Sequence, residues 1–264
     1  METNFSKLTE AYGEVKELTT PSGFKVVLRE QNGNDDDVLS KGSGVVDGSS
    51  ANRFVQGIIV HTNFTESGKL SLEDVEKMKL CDKYFIMIAS RIFSIGQIVK
   101  FQFTWADIKK PMDYEEDLGL YIWDYEKGDF PYDEDHDDYF QYRIKPHAHG
   151  KETSLEHVLS SGKKIKFDFM NGLGEKYLMK LPEQEISKNQ ELIARNLQQY
   201  VNNTWVKVSN FRNFTVTDMV EIRKFVFEND PVLEIYSEIE HPITKEIVKH
   251  PIIGTTDFFF PRQI

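Results

Sequence analysis

The hydrophobic positions of this chain change period several times, and the change follows the same order twice. Phe24, Val26 and Leu28 alternate with polar neighbours, the period of a strand with one side against a core. Asn32-Gly33 then supplies turn chemistry, and Val38 and Leu39 fall in a short helical segment that Asn34 or Asp35 can cap. Further along, Ile165, Phe167 and Phe169 alternate, Asn171-Gly172 turns the chain, and Glu175 to Leu181 continues as a predicted helix that Pro182 stops. Aligned without a gap, Ser22 to Lys41 and Ser161 to Lys180 share Ser-Gly, the Lys25/Lys164 pair, Asn-Gly, Leu39/Leu178 and Lys41/Lys180.

A longer helical segment is predicted after each unit, "SSANRFVQGIIVHT" in the first and "SKNQELIARNLQQYVNN" in the second. Two matching helix starts follow. In "LSLEDV" and "FTVTDM", Ser71 and Thr215 stand as N-caps with Asp74 and Asp218 three residues on, the pattern of a capping box, and Leu70 and Phe214 are placed to staple onto Val75 and Met219. The helix through "YFIMIASRIFSIG" ends at Gly96, "QIVKFQF" alternates as a strand, and "VLEIYSEIE" pairs with "EIVKHPII" across the turn between His241 and Lys245. The expected fold is α+β, with two related strand-turn-helix-hairpin halves from an internal duplication. Its divisions are an N-terminal arm (1–18), a first repeat (19–112), an acidic aromatic connector (113–155), and a second repeat with a C-terminal tail (156–264).

Composition narrows the function classes. The 264 residues are 39% hydrophobic and 28% charged, too apolar for wholesale disorder. No apolar run approaches a membrane span, and the N-terminus lacks the features of a targeting segment, so a soluble protein made inside the cell is expected. A net charge of −11 disfavours nucleic acid as a partner. The one cysteine, Cys81, reads as a buried inert thiol.

Candidate chemistry is sparse. "KGSGVVDGSS" lacks the Gly-Lys-Ser/Thr ending of a phosphate loop, and no Gly-x-Ser-x-Gly elbow occurs. His147 and His149 read as a solvated loop, and His241 and His250 as strand-end residues held by His-Pro turns. The acidic run "DEDHDD" lacks the Gly and Glu spacing of a calcium loop. No catalytic residue, cofactor or metal is expected.

Candidate contact residues come from two places. Between Asp113 and Asp138 twelve carboxylates face only Lys127, amid many aromatic rings. There Trp123, Tyr125, Phe130 and Tyr132 are candidate anchors, and Asp133, Glu134, Asp135, Asp137 and Asp138 would steer a basic partner. The tail carries Phe258, Phe259 and Phe260, which one strand face cannot bury together. At least one ring is expected to meet a partner surface, the alternative being a second layer of the same chain folded back onto the second half. In the first case truncation after Asp257 abolishes assembly and leaves a folded monomer; in the second the chain unfolds.

The arrangement of "SGFKVVLREQNGNDDDVLS", "ASRIFSIGQIVKFQFT", "LSSGKKIKFDFMNGLGEKYL" and "EIEHPITKEIVKHPIIGTTDFFFP" resembles the baseplate hub subunit and hub-assembly protein family of T-even-type bacteriophages. Members of that family look as though they carry Cys-x-x-Cys pairs on the hairpins closing each half. Here "FTWADIKK" and "EHPITKE" occupy those places without cysteine, with Trp105 as a candidate for aromatic packing instead. The resemblance implies a non-enzymatic structural or assembly role in the virion tail baseplate, and a place in the host cytoplasm during assembly. Its implied partners are other tail and baseplate proteins, including one of tape-measure type, in a multi-copy symmetric assembly. The alternatives are a tail-assembly chaperone absent from the finished particle, or an enzyme with a dispersed site between the halves.

Overall fold

Each half begins with a hairpin, and the two are built alike. β1 (Val15–Thr19) and β2 (Lys25–Arg29) place Val15 opposite Arg29, while β6 (Ser154–Val158) and β7 (Lys164–Asp168) place Ser154 opposite Asp168, a displacement of 139 residues throughout. Both turns close on a backbone bond of 2.8 Å, Thr20 N–H to the Phe24 carbonyl and Leu159 N–H to that of Lys163. Gly23 and Gly162 both take φ +82°, a left-handed conformation that favours glycine. The same displacement carries α2 (Gly33–Ser40) onto α6 (Gly172–Met179). Asn32 and Asn171 hold these helix starts, their Oδ1 atoms accepting from Asn34 N and Leu173 N at 3.0 Å. The cap is therefore Asn32, two residues before Asn34 and three before Asp35, and Asp35 is held by Arg29 at 2.7 Å.

The computed structural model describes residues 5–40, 49–122, 144–231, 233, 235–253 and 258. The fold is α+β, with antiparallel sheets ordered β1-β2-β3, β6-β7-β8-β9, β4-β5 and β10-β11. A first helix, α1 (Phe5–Tyr12), precedes β1. The segments read as long helices each break in two: α3 (Ser49–Ile58) runs into β3 (Ile59–Thr62), and α7 (Lys188–Ala194) precedes β8 (Gln198–Val201). The reason is the edge of the opening hairpin, which needs hydrogen-bond partners that β3 and β8 supply. In the second half Asn202 and Asn203, with φ of 50° and 62°, make a tight turn into β9 (Thr204–Lys207).

Both predicted capping boxes are present. Ser71 opens α4 (Leu72–Lys77) and Thr215 opens α8 (Val216–Asn229), each with its Asp returning a bond to the cap backbone. The register here is displaced by 144 residues, and the buried positions agree: Leu70 with Phe214, Val75 with Met219, Met78 with Ile222. The halves differ after the cap, as they do in the extra strand β9. At Met78 the backbone turns extended, with ψ of 139°, so α5 (Leu80–Ser94) starts afresh where α8 continues unbroken.

Two closing hairpins complete the chain, β4 (Ile98–Thr104) with β5 (Pro111–Asp117) and β10 (Tyr236–Glu240) with β11 (Ile247–Pro251). Their turns match as well: Lys109 N–H reaches the Trp105 carbonyl at 3.0 Å and Lys245 N–H that of His241 at 3.1 Å. The two lysines take φ of 55° and 64°. Trp105 meets His241 edge-on at 4.5 Å, and Phe101 stacks on His250 at 4.8 Å. The β10-β11 hairpin consequently packs on the first half: Ile239 and Ile252 share the larger core with Val26, Phe54, Ile86 and Phe101. A smaller core gathers Ile165, Phe167, Leu192, Met219 and Ile222. Packing thus does not follow the division at residue 156, and the division at 113 falls inside β5, where Gln102 Nε2 meets Asp113 at 2.8 Å and Lys100 meets Glu115 at 3.1 Å.

Candidate functional site

The two halves meet along α4, the start of α5, and α6. Gly172 lies so close to α4 that an added Cβ would stand 3.0 Å from Glu76 Cα, which explains a residue without a side chain there. Lys176 Nζ reaches Glu76 at 2.9 Å, and Leu80 N–H donates to the Met170 carbonyl at 2.9 Å. Lys83, buried, donates to Glu175, and Tyr84 Oη donates to the same carboxylate at 2.7 Å.

A cavity of about 470 Å³ opens at this junction. One wall is Leu80, Cys81 and Tyr84 of α5, another is Leu178 and Met179 of α6, and the third is Asn229 to Pro231 beyond α8. Pro146, His147 and Ala148 close one side. Beneath them, Arg195 at the end of α7 bonds Asp230 Oδ2 from Nε at 2.8 Å, and Met170 N–H donates to that same oxygen at 2.8 Å. The charged groups of the floor are therefore paired and hold three segments together.

Three groups at the cavity, Cys81, Tyr84 and His147, are moved away from neutral-pH chemistry. Burial pushes the Cys81 thiol well above its ordinary value, leaving little thiolate to act as a nucleophile. Burial, reinforced by Glu175, does the same to the Tyr84 phenol. Lys79 has its pKa lowered by burial. Its Nζ donates to the Gly150 carbonyl at 2.6 Å and rests 4.3 Å from the centre of the Phe169 ring. His147 is lowered to about 4 by burial and by Lys79, so it is neutral at physiological pH. The pocket is an apolar receptacle with satisfied ion pairs in its wall, suited to holding an apolar group.

His147 and His149, expected as a solvated loop, instead pack on Phe169, at 4.5 Å edge-on and 5.4 Å stacked. Ring burial outweighs the polar context that Lys145, Gly150 and Lys151 suggested. His241 is buried, accepts from Thr244 N at 3.0 Å and meets Asp107 at 3.1 Å. Trp105 fills the closing turn, its Nε1 donating to Tyr114 Oη at 2.9 Å.

Of the candidate contact residues, Trp123, Tyr125, Phe130, Tyr132, Asp133, Glu134, Asp135, Asp137, Asp138, Phe259 and Phe260 lie outside the described residues. Phe258 is 0% exposed and belongs to the larger core, where its carbonyl accepts from Arg91 Nε at 2.8 Å. That ring is used by the chain itself. Among the described residues no helix is long and apolar enough to cross a membrane, and no three His, Cys, Asp or Glu side chains gather as a metal set.

Sequence reading missed the cavity, since its walls come from four separate segments between Leu80 and Pro231. It also missed the outer face of α8, although Val216, Val220 and Phe227 stand in a helical period there. Comparison with protein-family models, with curated proteins and with solved structures finds no match for this chain.

Proposed function

We propose that the chain is a structural or assembly protein working through protein contacts in a multi-copy complex. On the resemblance of its strand-turn-helix and hairpin segments, that complex is a bacteriophage tail baseplate hub, with other tail proteins of hub or tape-measure type as partners. Assembly would take place in the host cytoplasm and the product would reside in the virion tail. The matched hairpin registers and capping boxes support reading the chain as an internal duplication, a plan that serves repeated contacts.

The observation that carries this reading is the two-sided α8. Met219, Ile222 and Val226 turn inward to the smaller core, while Val216, Val220 and Phe227 are 82%, 59% and 52% exposed on the outside. Apolar side chains grouped on one outer helix face mark a contact surface. Mass spectrometry of purified tail particles and their precursors tests the proposal. Stoichiometric presence in particles supports a structural subunit, presence in precursors alone supports a chaperone, and absence from both overturns the tail reading.

The cavity between the halves favours a second reading, an enzyme or binding protein whose small apolar ligand enters there. Saturable binding of such a molecule, read by calorimetry, with turnover of it, would favour that reading over the first.

A further inference from the structure

The junction inside the chain has a counterpart on its surface. In the first half, the outer face of α4 is covered by α6 of the second half, with Gly172 against Glu76 and Lys176 bonded to Glu76. The counterpart of that face in the second half is the start of α8, where the capping-box register puts Val216 at the place of Leu72 and Val220 at the place of Glu76. Both valines are exposed. The counterpart of α6 is α2, where Gly33 stands at the place of Gly172. Among the described residues, no atom lies within 4 Å of where a Cβ on Gly33 would be. One chain therefore displays counterparts of both faces of its own junction, open at Gly33 on α2 and at Val216 and Val220 on α8.

We propose that α8 of one copy binds α2 of a second copy, repeating between molecules the contact that α4 and α6 make within one. Val220 would lie against Gly33, as Glu76 lies against Gly172. The charges fit this occupant. Glu175 of α6 meets the cation of Lys83. Its counterpart on α2, Asp36, is exposed in an acidic helix, and α8 carries the exposed Lys224 between Val220 and Phe227, while Arg223 is held by Asn189 at 2.8 Å. Because the two faces are different surfaces of one chain, the contact is heterologous. It propagates until a ring closes or a filament grows. The occupant follows from the contact-surface reading of α8, but the test uses the purified chain alone. Its failure would leave incorporation into tail particles, read by mass spectrometry, undecided and open.

Sedimentation velocity of the purified chain over rising concentration is the experiment. The wild type is expected to exceed the dimer mass as concentration increases. Gly33→Leu, which blocks the α2 face, and Val220→Asp, which blocks the α8 face, are each expected to sediment as the 30.7 kDa monomer with an unchanged thermal midpoint. An equimolar mixture of the two variants retains one good face of each kind and should form a dimer and nothing larger. A second pair keeps the result independent of those substitutions: Asp36→Lys should weaken association, and Lys224→Glu in the mixed partner should restore it. A wild type that stays monomeric, variants that assemble like the wild type, or a variant mixture that stays monomeric overturns the proposal.

Discussion

Gly172 and Gly33 occupy matching places yet face opposite constraints, and substitution should separate them. A methyl group at Gly172 meets the Glu76 backbone at 3.0 and 3.1 Å, so α4 or α6 must move. Gly172→Ala is expected to cost about 1–3 kcal/mol, the usual range for overpacking. Gly33→Ala has open space around it among the described residues and should change monomer stability by less than about 0.5 kcal/mol. Urea unfolding of the two variants checks the contrast. His147 gives a pH prediction at the same scale. Its pKa falls from an ordinary 6.5 to about 4 in the fold, so between those values the unfolded chain binds the extra proton. Its contribution is complete above 6.5 and is lost progressively as pH falls toward about 4. The thermal midpoint of His147→Asn should therefore depend less on pH across that window than that of the wild type. An equal slope in both proteins would remove His147 from the acid response. The Asn of each Asn-Gly pair is legible in the sequence as a local signal, though it caps a helix whose first residue is the glycine instead of making a turn. The demand on Gly172 is not legible, because it is imposed by a helix nearly a hundred residues away.

At the scale of elements, what could be read depended on whether the deciding contact is local. The capping boxes at Ser71 and Thr215 are decided within four residues, and both form as expected. The run from Ile59 to Thr62 was read as helix because it continues the pattern of α3, yet pairing with β2 makes it a strand. The tail is the sharpest case. "DFFFP" leaves open a partner surface for at least one ring or folding back onto the second half, and Phe258 packs in the larger core instead, its carbonyl accepting from the buried Arg91. Arg91 also donates to the carbonyls of Gly96 and Ile98, which ties the end of α5, the start of β4 and the tail to one guanidinium. Truncation after Asp257 is thus expected to destabilise the fold rather than leave it intact. Phe258→Ala should cost about 3–5 kcal/mol, the range for removing a buried aromatic ring. A denaturant midpoint equal to that of the wild type would show that the ring contributes nothing.

Across the whole molecule, the closing hairpin of the second half belongs energetically to the first. Nothing in "EIYSEIEHPITKEIVKHPII" states which core its apolar side will meet, so strand pairing was legible while its destination was not. The destination is set by Trp105 against His241 and Phe101 against His250, and it makes the chain's division into halves differ from its division into cores. Ile239 gives the test, since it lies on β10 yet is buried in the larger core. Ile239→Ala should cost about 2–5 kcal/mol, and the loss should appear where the ring and aliphatic contacts are. Native-state hydrogen exchange should quicken at amides of α5 from Phe85 to Ala89, which line that core. Amides of β7 from Ile165 to Phe167, which line the smaller one, should be slowed or quickened far less, because sub-global opening follows packed units. If β7 instead loses protection and α5 keeps it, the hairpin stabilises its own half and the crossing is of no energetic consequence. Equal loss in both would mean that Lys83 with Glu175 and Lys176 with Glu76 lock the two cores into one cooperative unit.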